Sequence, residues 1–156
     1  MIKRVLKIAG LILVIVIIGI QFVPVERTNP PVDLNQDLLE HSDLTVEQRE
    51  LVKAACYDCH SNETVWPWYA YVAPMSFSIE HHVEEGREEL NFSEFMPYSD
   101  KKKDHKLEEV VEALEEGWMP LNNYVWLHSE ADLTSDQRKE LAEAFNSLRQ
   151  KMASGL

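Results

Sequence analysis

Cysteine is nearly absent from this 156-residue chain: Cys56 and Cys59 are the only two. With both in one short run, no disulfide framework can staple the fold, and an apolar core has to hold it. Paired runs of alternating apolar and polar residues are missing as well, as are internal repeats, which excludes a sheet-based or repeat architecture. Positive charge is short. Against 27 acidic residues stand 15 basic ones, a net charge of -12, and three of the basic residues, Lys3, Arg4 and Lys7, precede the first acid, Glu26. Such a balance repels nucleic acid and anionic headgroups, and it either favours a basic-faced partner or simply keeps the chain in solution. Nothing marks a peroxidase-like catalytic base, so no catalytic residue is assigned and the chain does not read as an enzyme.

What is present centres on Cys56-Tyr57-Asp58-Cys59-His60. A Cys-x-x-Cys-His run is the attachment pattern of c-type haem. Two thiols three residues apart share one side of a helical turn, and His60, four residues after Cys56, shares it too. Each thiol can add to one haem vinyl group while the imidazole reaches the iron. A dithiol redox motif is an alternative, but it belongs with a βαβ pattern that is not visible here. A zinc site is another; it needs four ligands, and two histidines from elsewhere would have to complete it.

The chain begins with a basic cluster followed by an apolar run from Ile8 to Val25, broken in polarity only at Gln21. Counted from Val5, this is about the length that crosses a ~30 Å hydrocarbon core. Basic residues on its N-terminal side predict an N-terminus held inside and a remainder sent across. The exit through Gln21-Phe22-Val23-Pro24-Val25 lacks the small residues of a cleavage site, which favours an uncleaved anchor over a signal peptide. The expectation is therefore one transmembrane helix, contact with the lipid bilayer through residues 5–25, and a haem domain on the periplasmic side of the inner membrane.

Residues 1–25 thus read as anchor, 26–41 as an extended linker containing Pro30-Pro31, and 42–156 as the haem-binding domain. Thr45 with Gln48 three residues on has the form of a capping box, and Leu51, Val52 and Ala55 trace an apolar stripe leading into Cys56. Thr134 and Gln137 repeat the box before a stripe of Leu141, Ala144, Phe145 and Leu148. Capped amphipathic helices therefore open and close an all-α domain, the form of the small cytochrome c architecture, in which first and last helices cross.

The segment after the motif is dense in aromatics. Trp66, Trp68, Tyr69 and Tyr71 offer flat apolar area with polar tips, suited to walling a haem. Read together, Cys-x-x-Cys-His-Ser-Asn-x-Thr-x-Trp-Pro-Trp-Tyr, Ala73-Pro74 and Glu85-Gly86-Arg87-x-x-Leu90-Asn91-Phe92-Ser93-Glu94 resemble a bacterial haem-binding domain family. The resemblance covers roughly residues 40–150. It implies a small exported protein related to c-type cytochromes, often membrane-anchored, with one covalent haem c and a helical fold. It implies no known reaction.

His60 takes one axial position in this reading. The residues that could take the other are Met75, His81, His82, Met96, His105, Met119 and His128. Met119 leads them, because Gly117 fits the end of a helix bearing Leu107, Val110, Val111 and Leu114, and Pro120 stiffens the loop that follows. The family pattern continues Met-Pro-Pro, whereas Leu121 follows Pro120 here. His82 and His81 come next. A Met opposite His raises the reduction potential relative to two His. Arg87 offers a planar fork suited to a haem propionate. The reading that results is a membrane-tethered, single-haem electron carrier serving redox partner proteins. A haem-based redox or gas sensor attached to a membrane complex is the alternative.

Overall fold

Two sequence signals, the threonine–glutamine boxes, fix where helices start. In the computed structural model, which describes residues 1–154, the Thr45 hydroxyl accepts from the Gln48 N–H at 3.2 Å and the Gln48 side chain returns a bond to the Thr45 N–H at 3.0 Å. Thr134 and Gln137 make the same reciprocal pair at 3.2 and 2.9 Å. Each box satisfies two N–H groups that a helix start otherwise leaves without partners.

The helices are α1 (Ile2–Ile20), α2 (Val46–Val52), α3 (Asp58–His60), α4 (Met75–Glu89), α5 (Asp100–Glu116), α6 (Asn122–Val125) and α7 (Ser135–Ser154). Short 3-10 turns at Leu39–His41, Trp68–Tyr71, Phe92–Glu94 and Ser129–Ala131 join them, and no strand occurs among the described residues. A π-turn over Lys53–Tyr57 links α2 to α3 without a break. Its wider winding lies on Cys56, and such turns concentrate at functional sites.

The core is built by Phe92, Phe95, Phe145, Leu38, Leu39, Leu107, Leu141 and Val52, all buried. Phe92 stacks on Tyr57 (centroids 5.5 Å apart) and on Phe145 (6.4 Å), joining the motif to α7. The most extensive helix pairing is α5 with α7, reinforced where Arg149 meets Asp104 and Glu108. α2, at 7 residues, is too short to carry a long seam, and it meets α7 through a Gln48–Glu140 hydrogen bond of 2.8 Å.

The expected transmembrane helix does not stand. No helix among the described residues is long and apolar enough to cross a membrane. Lys3, Arg4 and Lys7 lie inside α1 rather than ahead of it, and α1 ends at Ile20. The uncharged stretch, residues 8–20, is about 20 Å long at 1.5 Å per residue, short of a ~30 Å hydrocarbon core. The chain turns at Gln21 because that side chain pairs with the Ala73 backbone, donating to its carbonyl at 3.1 Å and accepting from its N–H at 3.0 Å. The single-pass inner-membrane placement falls with the helix.

Residues 26–41 are not a free spacer. Asn29 donates to the Thr64 carbonyl at 2.8 Å, and the Pro31 carbonyl accepts from Asn62 at 3.2 Å. Leu38 N–H donates to the Phe92 carbonyl at 2.9 Å, and Leu38 and Leu39 are core residues. Two prolines do favour an extended path, but here the path is laid along the motif loop and bonded to it.

Candidate haem site

Gly86 on α4 decides how closely α4 meets the motif. A Cβ at this position would lie 2.5 Å from the Cys59 carbonyl oxygen and 3.0 Å from the Cys59 Cβ. The absent side chain lets the two backbones touch. That contact brings the α4 C-terminus over His60, whose Nδ1 lies 2.8 Å from the Gly86 carbonyl and 3.1 Å from the Leu90 carbonyl. Carbonyls only accept, so Nδ1 carries the hydrogen and Nε2 keeps a lone pair. Burial pushes the imidazole below its usual pKa, although both carbonyl bonds pull the other way. The ring is thereby held neutral and oriented, with the Nε2 lone pair free. Both carbonyls come from the end of α4, 26 and 30 positions away in the chain.

His60 opens on a cavity of about 800 Å³, in the range of small-molecule and cofactor sites, lined by Cys56, Cys59, Val83, Leu114, Met119 and Phe145 among others. Both thiols are free. Burial is the first cause raising them, Cys56 to about 12 and Cys59 to about 11, and their acidic or thiol neighbours add to it. A reactive dithiol pair, by contrast, has a thiol whose pKa is lowered. Among the described residues there is no group of three or more His, Cys, Asp or Glu that could hold a metal ion, and structural zinc takes four ligands.

Of the four aromatics expected to wall the site, only Tyr69 lines the cavity. Trp68 is 77% exposed and Tyr71 60%, and Arg27 lies over the Tyr71 ring at 4.6 Å. Trp66 donates to Asn29 at 3.3 Å. Arg87 does not line the cavity either. Its guanidinium donates to the Ser61 carbonyl at 2.8 Å, Asn29 Oδ1 at 2.7 Å and Thr64 Oγ1 at 2.9 Å. With the Thr28 carbonyl at 3.4 Å, the fork is matched to four oxygens of the motif loop and the segment beside it.

Met75, His82, Met119 and His128 all line the cavity. His81 points away, 3.4 Å from Glu85, His105 pairs with Glu109 at 3.3 Å, and Met96 packs against the core. His128 is engaged on two sides, stacked on Tyr124 (4.1 Å) and 3.2 Å from the Tyr69 hydroxyl. Met119 follows Gly117, which closes α5 with φ 73° and donates to the Ala113 carbonyl at 3.1 Å. That left-handed residue is what turns the chain toward the cavity.

Asp58 and Arg138 were not legible as site residues. Tyr124 donates to Asp58 Oδ2 at 2.8 Å, and Arg138 donates to the Met119 carbonyl. The Tyr124–His128 spacing of four on a short helix is a weak signal, and no local pattern points to Arg138.

A helical scaffold around an apolar cavity, with two thiols and one neutral imidazole on its wall, has the donor set of a haem-binding protein. The chain belongs to the haem-binding domain family, whose model matches residues 15–147. No curated protein and no solved structure matches it.

Proposed function

We propose that this protein carries one haem c, joined by thioethers to Cys56 and Cys59 and held axially by His60 and Met119, and that it relays single electrons between redox partner proteins. The observation that carries this reading is the double carbonyl hold on His60 Nδ1, which leaves a neutral Nε2 available to iron; a hold of this kind on the second ring nitrogen is characteristic of ligating histidines. When bound, haem supplies one-electron chemistry at its iron.

The chain's part is binding and tuning. Cys56 and Cys59 would hold the haem through thioethers, each from addition of S–H across one vinyl double bond, which needs no oxidant. Val83, Leu114 and Phe145, apolar on the cavity wall, would keep water from a bound haem, and burial of this kind shifts the potential. Met119 as the second ligand raises the potential relative to two histidines. The acidic surface favours partners with a basic face. No catalytic step is assigned to the protein.

An optical experiment on the chain matured in cells able to attach c-type haem tests this. Haem that stays with the protein through acid–acetone extraction is the expected result, and free haem in the extract refutes the thioethers. The ferric spectrum should carry the weak far-red band of iron–sulfur bonding, lost in Met119→Ala. A wild-type spectrum without that band moves the sixth position to His82 or leaves it open, and an open position replaces the carrier with a sensor.

A further inference from the structure

Segment 117–128 supplies Trp118, Met119, Tyr124 and Leu127 to the cavity wall, yet little core packing holds it there. No residue from 121 to 130 is buried, and α6 has only 4 residues. A stretch so weakly packed belongs to the part of a fold that opens most easily, unless specific bonds fasten it.

Three such fastenings exist, one of them the Tyr69 hydroxyl 3.2 Å from His128. At the start of the segment the Arg138 guanidinium, on the first turn of α7, donates to the Met119 carbonyl. Further on, the Tyr124 hydroxyl donates to Asp58 Oδ2 at 2.8 Å, with the Ala54 carbonyl 3.3 Å away. Asp58 stands between Cys56 and Cys59, and its other oxygen accepts from the Val65 N–H at 2.9 Å. One carboxylate of the motif thus ties both the loop after the motif and the segment bearing Met119. Hydrogen bonds to a charged acceptor are about twice as strong as neutral ones.

We propose that Asp58, Tyr124 and Arg138 are positioning residues that clamp segment 117–128 to the haem-attachment turn and keep the sixth position of the iron closed to small external ligands. The proposal rests on the haem reading above, but it does not require Met119 to be the ligand. Asp58 acts through Tyr124, and Arg138 through the Met119 backbone; neither needs to touch the cofactor.

The test uses the full chain, with carbon monoxide as the probe of the ferrous, haem-loaded protein. Tyr124→Phe keeps the ring and its stacking but removes the donor. Arg138→Met removes a second fastening, and Arg138→Lys restores a charged donor. Tyr124→Phe and Arg138→Met should each speed carbon monoxide association about tenfold, the scale of one lost hydrogen bond, while Arg138→Lys stays near wild type. Hydrogen exchange at the amides of residues 124–128 should speed up in the first two variants, with or without haem, while α5 and α7 keep their protection. Unchanged association and unchanged exchange in both variants overturn the clamp, and protection lost across α5 and α7 too would mean a general loss of fold instead. A chain that takes up no haem refutes the functional reading, and the exchange measurement then judges the clamp by itself. If Met119→Ala keeps the far-red band while Tyr124→Phe still speeds ligand entry, the ligand assignment fails and the clamp stands.

Discussion

Gly86 and Cys59 meet backbone to backbone, so closely that a Cβ on Gly86 would sit 2.5 Å from the Cys59 carbonyl oxygen. The same residue offers its own carbonyl to His60 Nδ1 at 2.8 Å. One glycine therefore sets both the distance of α4 from the motif and the orientation of the imidazole.

Gly86→Ala should accordingly destabilise the fold by about 1–3 kcal/mol through overpacking, measured by urea unfolding, and should also shift the haem absorption bands. Gly117→Ala is the comparison. Open space surrounds Gly117, so only its left-handed backbone matters, at about 1–2 kcal/mol, and the bands should stay in place. Equal spectral shifts in both would show that Gly86 has no special relation to His60.

Arg87→Ala should lower stability by about 2 kcal/mol, because it removes charge-assisted bonds to a loop carbonyl and two side-chain oxygens. Arg87→Lys should recover less than half of this, since an ammonium cannot reproduce the planar fork. The haem spectrum and stoichiometry should be unchanged in both. Loss of haem in Arg87→Lys would restore the propionate role that the structure does not support.

Trp68→Ala should change stability by less than about 0.5 kcal/mol, as expected of an exposed side chain whose ring meets Tyr69 only edge-on at 5.7 Å, and should leave the haem spectrum alone. Tyr69→Phe, at a buried ring within reach of His128, should perturb the spectrum. The reverse ranking would mean that the aromatic wall is the one foreseen from the sequence.

Acid should loosen the α5–α7 pair through Asp104. The Arg149 guanidinium beside it holds this carboxyl below its usual value. A depressed folded pKa means that the pair's contribution is fully present above the unfolded value of about 3.9, and is lost as pH falls through the lower folded value. Chemical denaturation between about pH 5 and pH 3 should therefore show a shallower loss for Asp104→Asn than for wild type. Parallel curves would remove Asp104 as a source of the acid sensitivity.

Much of this protein follows from local sequence. The helix starts at Thr45 and Thr134, the end of α5 at Gly117 and the cofactor motif at Cys56–His60 depend on residues a few positions apart, so short-range hydrogen bonds and thiol spacing suffice to read them. The hold on His60, the retirement of Arg87 and three of the aromatics from the cavity wall, the bonded path of residues 26–41, and the Tyr124–Asp58 and Arg138–Met119 contacts were decided by tertiary structure alone. Each joins residues separated by 19 to 66 positions or more in the chain. Their pairing depends on which helices share a seam and how near two backbones can come, and no periodicity in the sequence records that.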